Sequence, residues 1–457
     1  MLSRFALKRG LSRRQYHNTK RNEILPLIGV AAIALVGRYG FKALQRMEQD
    51  KLEYEEYLAG LPTDGSVPNN PNNVPSQKVL GIDFGTSSLR CAILNDRKAT
   101  IVEDKDGGRS TPSYFFFENQ SESPLVPICG RLAKSKLFAG PQEVKSVYSM
   151  LAEAINDGDG KVKEMGTVGA GHMIREVAGD AIEKRGIGTI GDCECVLTFS
   201  PQFNEYQQEM LVNAAKSAGL IDPLIVCEAV GALIGAEFEG VIGKEAKANP
   251  CVVVDVGHSI THVSVVEDDA LVCSESVAMG GETLENVLVD LLAEKFAKSN
   301  NGMDLLSDKL SLQRVHDAAF ESIAELSNKS MCDVDLPFIT ADAEGPKHLN
   351  ENISSGVLES AVNDNIKAHE GVEGDSIERV FTNLLMKNLE KSGKTPFDLG
   401  AILLVGGASR QPIFERSLKN AVGLMGGEDW ASKTLIAIEG DKRAELTAIG
   451  ASVAIKE

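Results

Sequence analysis

From Val79 onward, short apolar runs alternate with longer stretches whose apolar residues recur at helical spacing. "KVLGIDFG" and "SLRCAIL" read as paired strands around a tight glycine turn. "PCVVVDVG" and "THVSVV" repeat that arrangement in the second half of the chain. In each copy the first run ends in an aspartate, Asp83 or Asp255, with a glycine two positions on, Gly85 or Gly257. "CVLTFSP" predicts a further strand, and "NEYQQEMLVNAAKSAGL" the helix after it. "PLIVCEAVGALIGAEF" runs from strand into helix, and "ETLENVLVDLLAEKFAKS" is an amphipathic helix. "LGAILLVGGASRQPIFERSLKNAV" predicts a buried strand, a Gly-Gly turn and a helix, before "RAELTAIGASVAI" closes the chain as a helix of small residues. The alternation predicts an α/β body. A chain of 457 residues exceeds one comfortable core, so at least two lobes are expected.

The first 77 residues have another pattern. Residues 1–21 hold seven Lys and Arg and no acid, the composition of a mitochondrial targeting segment; a basic disordered tail is the plainer alternative. Within 22–45, the run Ile24–Gly37 is uncharged, and it extends to Phe41 if Arg38 snorkels. It reads as a single N-terminal membrane anchor, with a hydrophobic sorting segment as the rival. Residues 46–77 comprise an acidic helix, "MEQDKLEYEEYL", and a linker, "LPTDGSVPNNPNNVPSQ", with four prolines and four asparagines. The folded body therefore begins near Lys78.

Charge and cysteine usage narrow the partners. The net charge is −18, and the basic leader masks a body that is more acidic still, so nucleic acid is not an expected partner. The eight cysteines show no zinc or disulfide spacing, and Cys193 and Cys195 form a lone C-x-C inside a predicted strand. A reducing compartment suits them. His258 and His262 are four apart but straddle a hairpin with no third ligand evident, so no metal site of that kind is expected.

Several of these segments resemble, in order, the nucleotide-binding domain of the heat-shock-70 chaperones, within the actin, heat-shock-70 and sugar-kinase superfamily. "GIDFGTSS" resembles the first phosphate hairpin, "RSTPSYFFF" with "CGRLAKSK" the stretch that comes after it, and "LTFSPQFNEYQQEM" the next strand and helix. "CEAVGALIGA" resembles the first connecting helix, "VVVDVGHSITHVSVV" the second phosphate hairpin, and "AMGGETLENVL", "ILLVGGASRQP" and "AELTAIGASVA" the rest. The resemblance implies a two-lobed actin-like (ribonuclease-H-like) ATPase fold, with duplicated mixed sheets flanked by helices around a central cleft. Lobe I would span 78–245 and lobe II 246–440, with 441–457 a C-terminal helix returning to lobe I. It also implies a site for ATP or ADP with magnesium. The nucleotide-binding residues would be Asp83, Gly85, Thr86, Ser87, Glu228, Asp255, Gly257, Gly280, Gly281, Ser327, Gly406, Gly407 and Arg410. Asp83 and Asp255 would hold magnesium through water. The chemistry agrees, because a glycine turn presents N–H groups to phosphate and Thr86 and Ser87 add hydroxyl donors.

Other positions depart from the family. Gly257 survives in the second loop, but His258, Ser259 and Ile260 stand where two glycines and a threonine belong, and His262 replaces an aspartate. The catalytic lysine should fall in "SVYSMLAEA", where Met150 and Leu151 are the nearest matches, Lys145 being a substitute if the register slips. Ala229 and Val230 come after Glu228 in place of a proline and a threonine. Phe320, Ile323 and Ala324 replace the polar adenine-side residues, and Ala444 replaces an aspartate. No catalytic residue is assigned, and weak or lost hydrolysis is expected.

No β-sandwich or lid comes after Glu457 in this sequence, so the expectation is a module acting through protein partners, a nucleotide-exchange factor or a J-domain protein. The stretch "GRYGFKALQRMEQ" resembles the anchor of the inner-membrane J-domain protein of the mitochondrial import motor. These resemblances imply placement at the mitochondrial inner membrane, with the folded domain in the matrix. A pseudo-ATPase scaffold with a non-functional cleft is the competing reading. A sugar kinase is a third, disfavoured by segment order and by the want of a base for a hydroxyl substrate.

Overall fold

The apolar run Val79–Phe84 forms strand β1 and turns back at Gly85, whose N–H donates to the Ser88 carbonyl at 3.2 Å, into β2, Ser88–Asn95. The computed structural model describes residues 78–455 except 96–97, 119–125, 141–142, 154–159, 186–188 and 369–373, all within the compact unit Gln77–Glu457. The targeting, anchor, acidic-helix and linker readings lie outside the described residues. Among those described, no helix is long and apolar enough to cross a membrane.

The first half continues through β3 (Lys98–Ile101), β4 (Thr111–Pro112), β5 (Tyr114–Phe117), β6 (Pro127–Cys129), β7 (Lys145–Ser146), β8 (Glu194–Phe199) and β9 (Leu224–Cys227). The second contains β10 (Cys251–Val256), β11 (Thr261–Glu267), β12 (Ala270–Val277), β13 (Met331–Asp342), β14 (Gly345–Ser354), β15 (Ala401–Val405) and β16 (Leu435–Ile436). One principal sheet runs β3-β2-β1-β8-β9 and the other β12-β11-β10-β15-β16. In each, the hairpin strand is antiparallel to its successor and parallel to a later strand, β8 or β15. The same unit has been built twice.

Two helices lie between the sheets. The Glu228–Phe238 helix packs Ala229, Ala232, Leu233 and Ala236 on β10 and β15, while the Lys442–Val453 helix packs Ala448, Ile449 and Ala451 on β1 and β2. They cross closely enough that a Cβ on Gly450 would strike the Gly231 carbonyl, and one on Gly235 the Leu446 carbonyl. Small residues are therefore a condition of the crossing, since backbone has no rotamer by which to yield.

Two features escape the apolar pattern. The 25-residue helix Lys161–Arg185 is glycine-rich and only weakly amphipathic. Its glycines let neighbours in: a Cβ on Gly169 would stand 2.7 Å from the Phe115 ring, and one on Gly171 would meet the Ser217 hydroxyl. The β13–β14 hairpin buries only one face, against the helix Lys309–Leu326, so its apolar signal is sparse. All eight cysteines are free thiols.

Candidate functional site

Antiparallel register decides what faces the C-terminal ends of β1 and β10. Asp83 is paired across the hairpin with Arg90, and Asp255 with His262 at the equivalent place in the other half. Each hairpin closes the same way, with Gly257 N–H donating to the Ile260 carbonyl at 3.1 Å as Gly85 does to Ser88. Alternation of side chains along a strand puts the carboxylate and its cross-strand partner on one face.

The two aspartates share one electrostatic site with Glu228, the first residue of its helix. Burial raises the Asp83 carboxyl above its usual range, against Arg90 and the Thr198 hydroxyl, which lower it. Asp255 is pushed up to about 7, first by burial and then by Asp83, with Arg90 opposing. Glu228 is raised by burial, then by Asp255 and Asp83. Three carboxyls that raise one another are close enough to compete for charge, and the guanidinium beside them is Arg90.

Contacts fix each group. Thr198 Oγ1 donates to Asp83 Oδ1 at 3.1 Å and accepts the Phe84 N–H at 3.1 Å, while Arg90 Nη1 lies 3.9 Å from Asp83 Oδ2. Gly406, at φ +94°, comes directly after β15; any Cβ there would collide with Asp255 Oδ1 and the Val256 carbonyl, so only glycine fits. A Cβ on Gly407 would lie 3.7 Å from Arg90 Nη2, so the guanidinium reaches from one half to the Gly-Gly turn of the other. His262 is buried, held down to about 4 by desolvation, and therefore uncharged at neutral pH. Its Nε2 lies 3.3 Å from Ser200 Oγ and 3.5 Å from Glu228 Oε1, and its buried Nδ1 has no partner among the described residues. Tyr148 donates to Ser200 Oγ at 3.1 Å.

The sequence-predicted residues divide. Asp83, Asp255, Glu228, Gly406 and Gly407 converge, with Gly85 and Gly257 closing the two turns. Thr86 and Ser87 form the first loop tip, where the Thr86 carbonyl accepts the Ser113 hydroxyl at 3.0 Å and the Ser87 carbonyl the Ser113 N–H at 2.9 Å. Gly280 and Gly281 lie against the second loop, and the N–H groups of Gly281 and Glu282 donate to the Gly257 and His258 carbonyls. Those donors are spent on protein. Arg410 pairs with Asp441 at 2.5 Å, and Ser327 caps its own helix by donating to the Ala324 carbonyl at 2.6 Å. Ser327 also lines a cavity of about 300 Å³ with Gln411, Leu284 and Arg416, rather than the carboxyl cluster.

Leu151 does not face the cleft. It is fully buried in the core of the first half, where Tyr148, one turn earlier on the Val147–Glu153 helix, packs against the same core and reaches Ser200 with its hydroxyl. Lys145 is no substitute, being paired with Glu143 at 3.0 Å and Glu153 at 3.4 Å. Ile260 is half-buried at the second turn, and Ala324 and Phe320 are exposed on their helix. His258 turns to Glu285, 3.5 Å away, so the two histidines serve different carboxyls.

Four polar groups escaped sequence reasoning: Arg90, Thr198, Ser200 and Tyr148. Arg90 carried a signal, because a hairpin closed at Gly85 must set residue 90 opposite Asp83. Magnesium, which the resemblance implies, does not suit this donor set. Asp83 already has Thr198 on one oxygen and Arg90 near the other. An ion between the aspartates would also stand beside a permanent guanidinium in a poorly screened site. In comparison with known families, the model described as Hsp70 protein matches the chain over residues 79–157 and 176–432.

Proposed function

Because this chain belongs to the Hsp70 family and carries its two-lobed actin-like ATP-binding module, we propose that it binds ATP or ADP at the paired hairpins and hydrolyses ATP weakly or not at all. The observation that carries this is the convergence of Asp83 and Asp255 from equivalent hairpins, with Gly406 seated against Asp255. Glycine turns of this kind leave backbone room for phosphate. Hydrolysis suffers because Ile260 offers no hydroxyl, His262 is a neutral base, and neither Leu151 nor Lys145 brings an ammonium to the cluster. Each missing electrostatic group costs ~10²–10³ in rate. A pseudo-ATPase scaffold is the second reading, favoured by the commitment of Arg410 to Asp441.

Thermal shift separates the two. Nucleotide at a hundredfold excess over Kd stabilises the native state by about 2.7 kcal/mol. The expected result is a clear rise in Tm with ATP and with ADP; no rise with either, with or without magnesium, would leave the scaffold.

The family's work with J-domain proteins and nucleotide-exchange factors supports protein partners of those kinds here. The basic leader and apolar run support a mitochondrial, inner-membrane location with the folded domain in the matrix. Residues 1–60 fused to a fluorescent protein should reach mitochondria and resist carbonate extraction. A diffuse cytosolic signal rejects the address, and carbonate-soluble mitochondrial signal rejects the anchor.

A further inference from the structure

Arg90 is the cleft's own cation, and nothing in the Hsp70 resemblance required it. It stands on β2 directly across from Asp83, with Nη1 3.9 Å from that carboxylate. Nη2 reaches to the Gly406–Gly407 turn of the other half, where Asp255 is packed against Gly406. Burial lowers the Arg90 pKa, Asp83 opposes that, Arg410 adds to it, and Glu445 and Asp255 oppose it. Arg410 is itself held by Asp441, and Glu445 by Arg109 at 2.6 Å. Among the described residues, the two aspartates are thus left with Arg90. Its side chain is 17% exposed, so the guanidinium is largely enclosed.

From this geometry we infer that Arg90 occupies the place of a metal ion between the two aspartates, so that the cleft takes the nucleotide as the free polyphosphate anion, without magnesium. The inference rests on the nucleotide-binding reading above and names the ionic form of the ligand. A guanidinium stays charged at any working pH and presents five N–H donors in a planar fork that matches phosphate oxygens two at a time. It can keep one edge toward Asp83 while offering another to phosphate, which a hydrated ion does through its waters. The equivalent place in the second half holds neutral His262, whose unpaired Nδ1 adds no competing charge.

The test is calorimetric titration of the full chain with ATP, in magnesium and in EDTA. Wild type should bind with the same Kd in both within about threefold. Arg90→Met should bind at least tenfold more weakly in EDTA, about 1.4 kcal/mol, and recover when magnesium is added. Arg90→Lys, which keeps the charge, should remain independent of magnesium. A wild-type affinity that falls tenfold or more in EDTA overturns the inference while leaving nucleotide binding intact, and so does an Arg90→Met variant that binds equally in EDTA. If wild type binds neither form, the nucleotide reading fails and manganese decides the role of Arg90. Electron paramagnetic resonance should then show Mn²⁺ bound by Arg90→Met and not by wild type; equal binding rejects the built-in cation. Should Arg90→Met fail to fold, the wild-type and Arg90→Lys titrations in EDTA still decide the matter.

Discussion

His262 shows how much one cross-strand pairing can set. Register puts it opposite Asp255, and burial keeps it neutral down to about pH 4, against 6.5 for an ordinary histidine. Between those values the unfolded chain binds a proton that the folded one refuses. Stability from this group therefore rises with pH from about 4 to 6.5, is complete above 6.5, and is lost on acidification through that window. His258, also held at about 4, acts in the same sense, whereas Asp255, raised to about 7, acts oppositely as pH rises from 3.8. The comparison must therefore be between proteins and not of one slope alone. His262→Gln should flatten the difference in unfolding free energy between pH 4.5 and 6.5 by on the order of 1–3 kcal/mol. Urea titrations at the two pH values measure it, and an unchanged difference would mean that His262 is not buried neutral.

At the scale of elements, glycine has two opposite meanings in this fold. In the crossing helices it admits a neighbour's backbone: a Cβ on Gly450 would overlap the Gly231 carbonyl and lie 2.7 Å from Gly235 N. In the Lys161–Arg185 helix, Gly179 has nothing within 4 Å of where its Cβ would be. Gly450→Ala should cost about 1–3 kcal/mol or more through overpacking. Gly179→Ala should instead stabilise by about 0.5–1 kcal/mol, because a helical glycine gives up more backbone entropy than alanine. Chemical denaturation of both variants tests the pair, and equal signs would contradict the packing described. The same contrast explains why this helix was invisible in the apolar pattern. Its glycines resemble loop composition, and their partners Phe115 and Ser217 are remote in the chain.

At the scale of the whole molecule, the halves meet away from the crossing helices as well. Lys134 Nζ sits 3.2 Å over the Phe320 ring, and Phe138 stacks on His316 with centroids 4.1 Å apart. The Phe138 N–H also donates to Gln313 Oε1 at 2.9 Å. These contacts join the Gly130–Lys134 helix and the turns after it to the Lys309–Leu326 helix, tying the first half to the second. A cation–π contact and a ring stack are each worth roughly 0.5–1.5 kcal/mol. Removing both with Phe138→Ala and Phe320→Ala should shift the balance toward an open arrangement by about tenfold. Dyes on the two halves should report a longer and broader separation, and nucleotide should leave faster. An unchanged distance distribution would show that the crossing helices alone hold the halves together.

Much of this was legible in the order of residues. The two hairpins, their aspartates and glycines, the helix of small residues and the duplicated α/β plan arise from local periodicity and turn chemistry, which act over a few positions. The family resemblance rests on the same short segments. Pairing and facing were decided only by the tertiary structure. Leu151 could be aligned with a lysine but not oriented, because which side of a short helix meets the core is set by the residues that pack on it, which are remote in the chain. Arg410 and Ser327 kept family identities while Asp441 and a helix end claimed their side chains. The hairpin alone sets Arg90 opposite Asp83, but it became the cation of the cleft because the second half brought Asp255 and the Gly-Gly turn toward it. Local preference is written in neighbouring residues, whereas charge compensation depends on groups that only the closed fold makes neighbours.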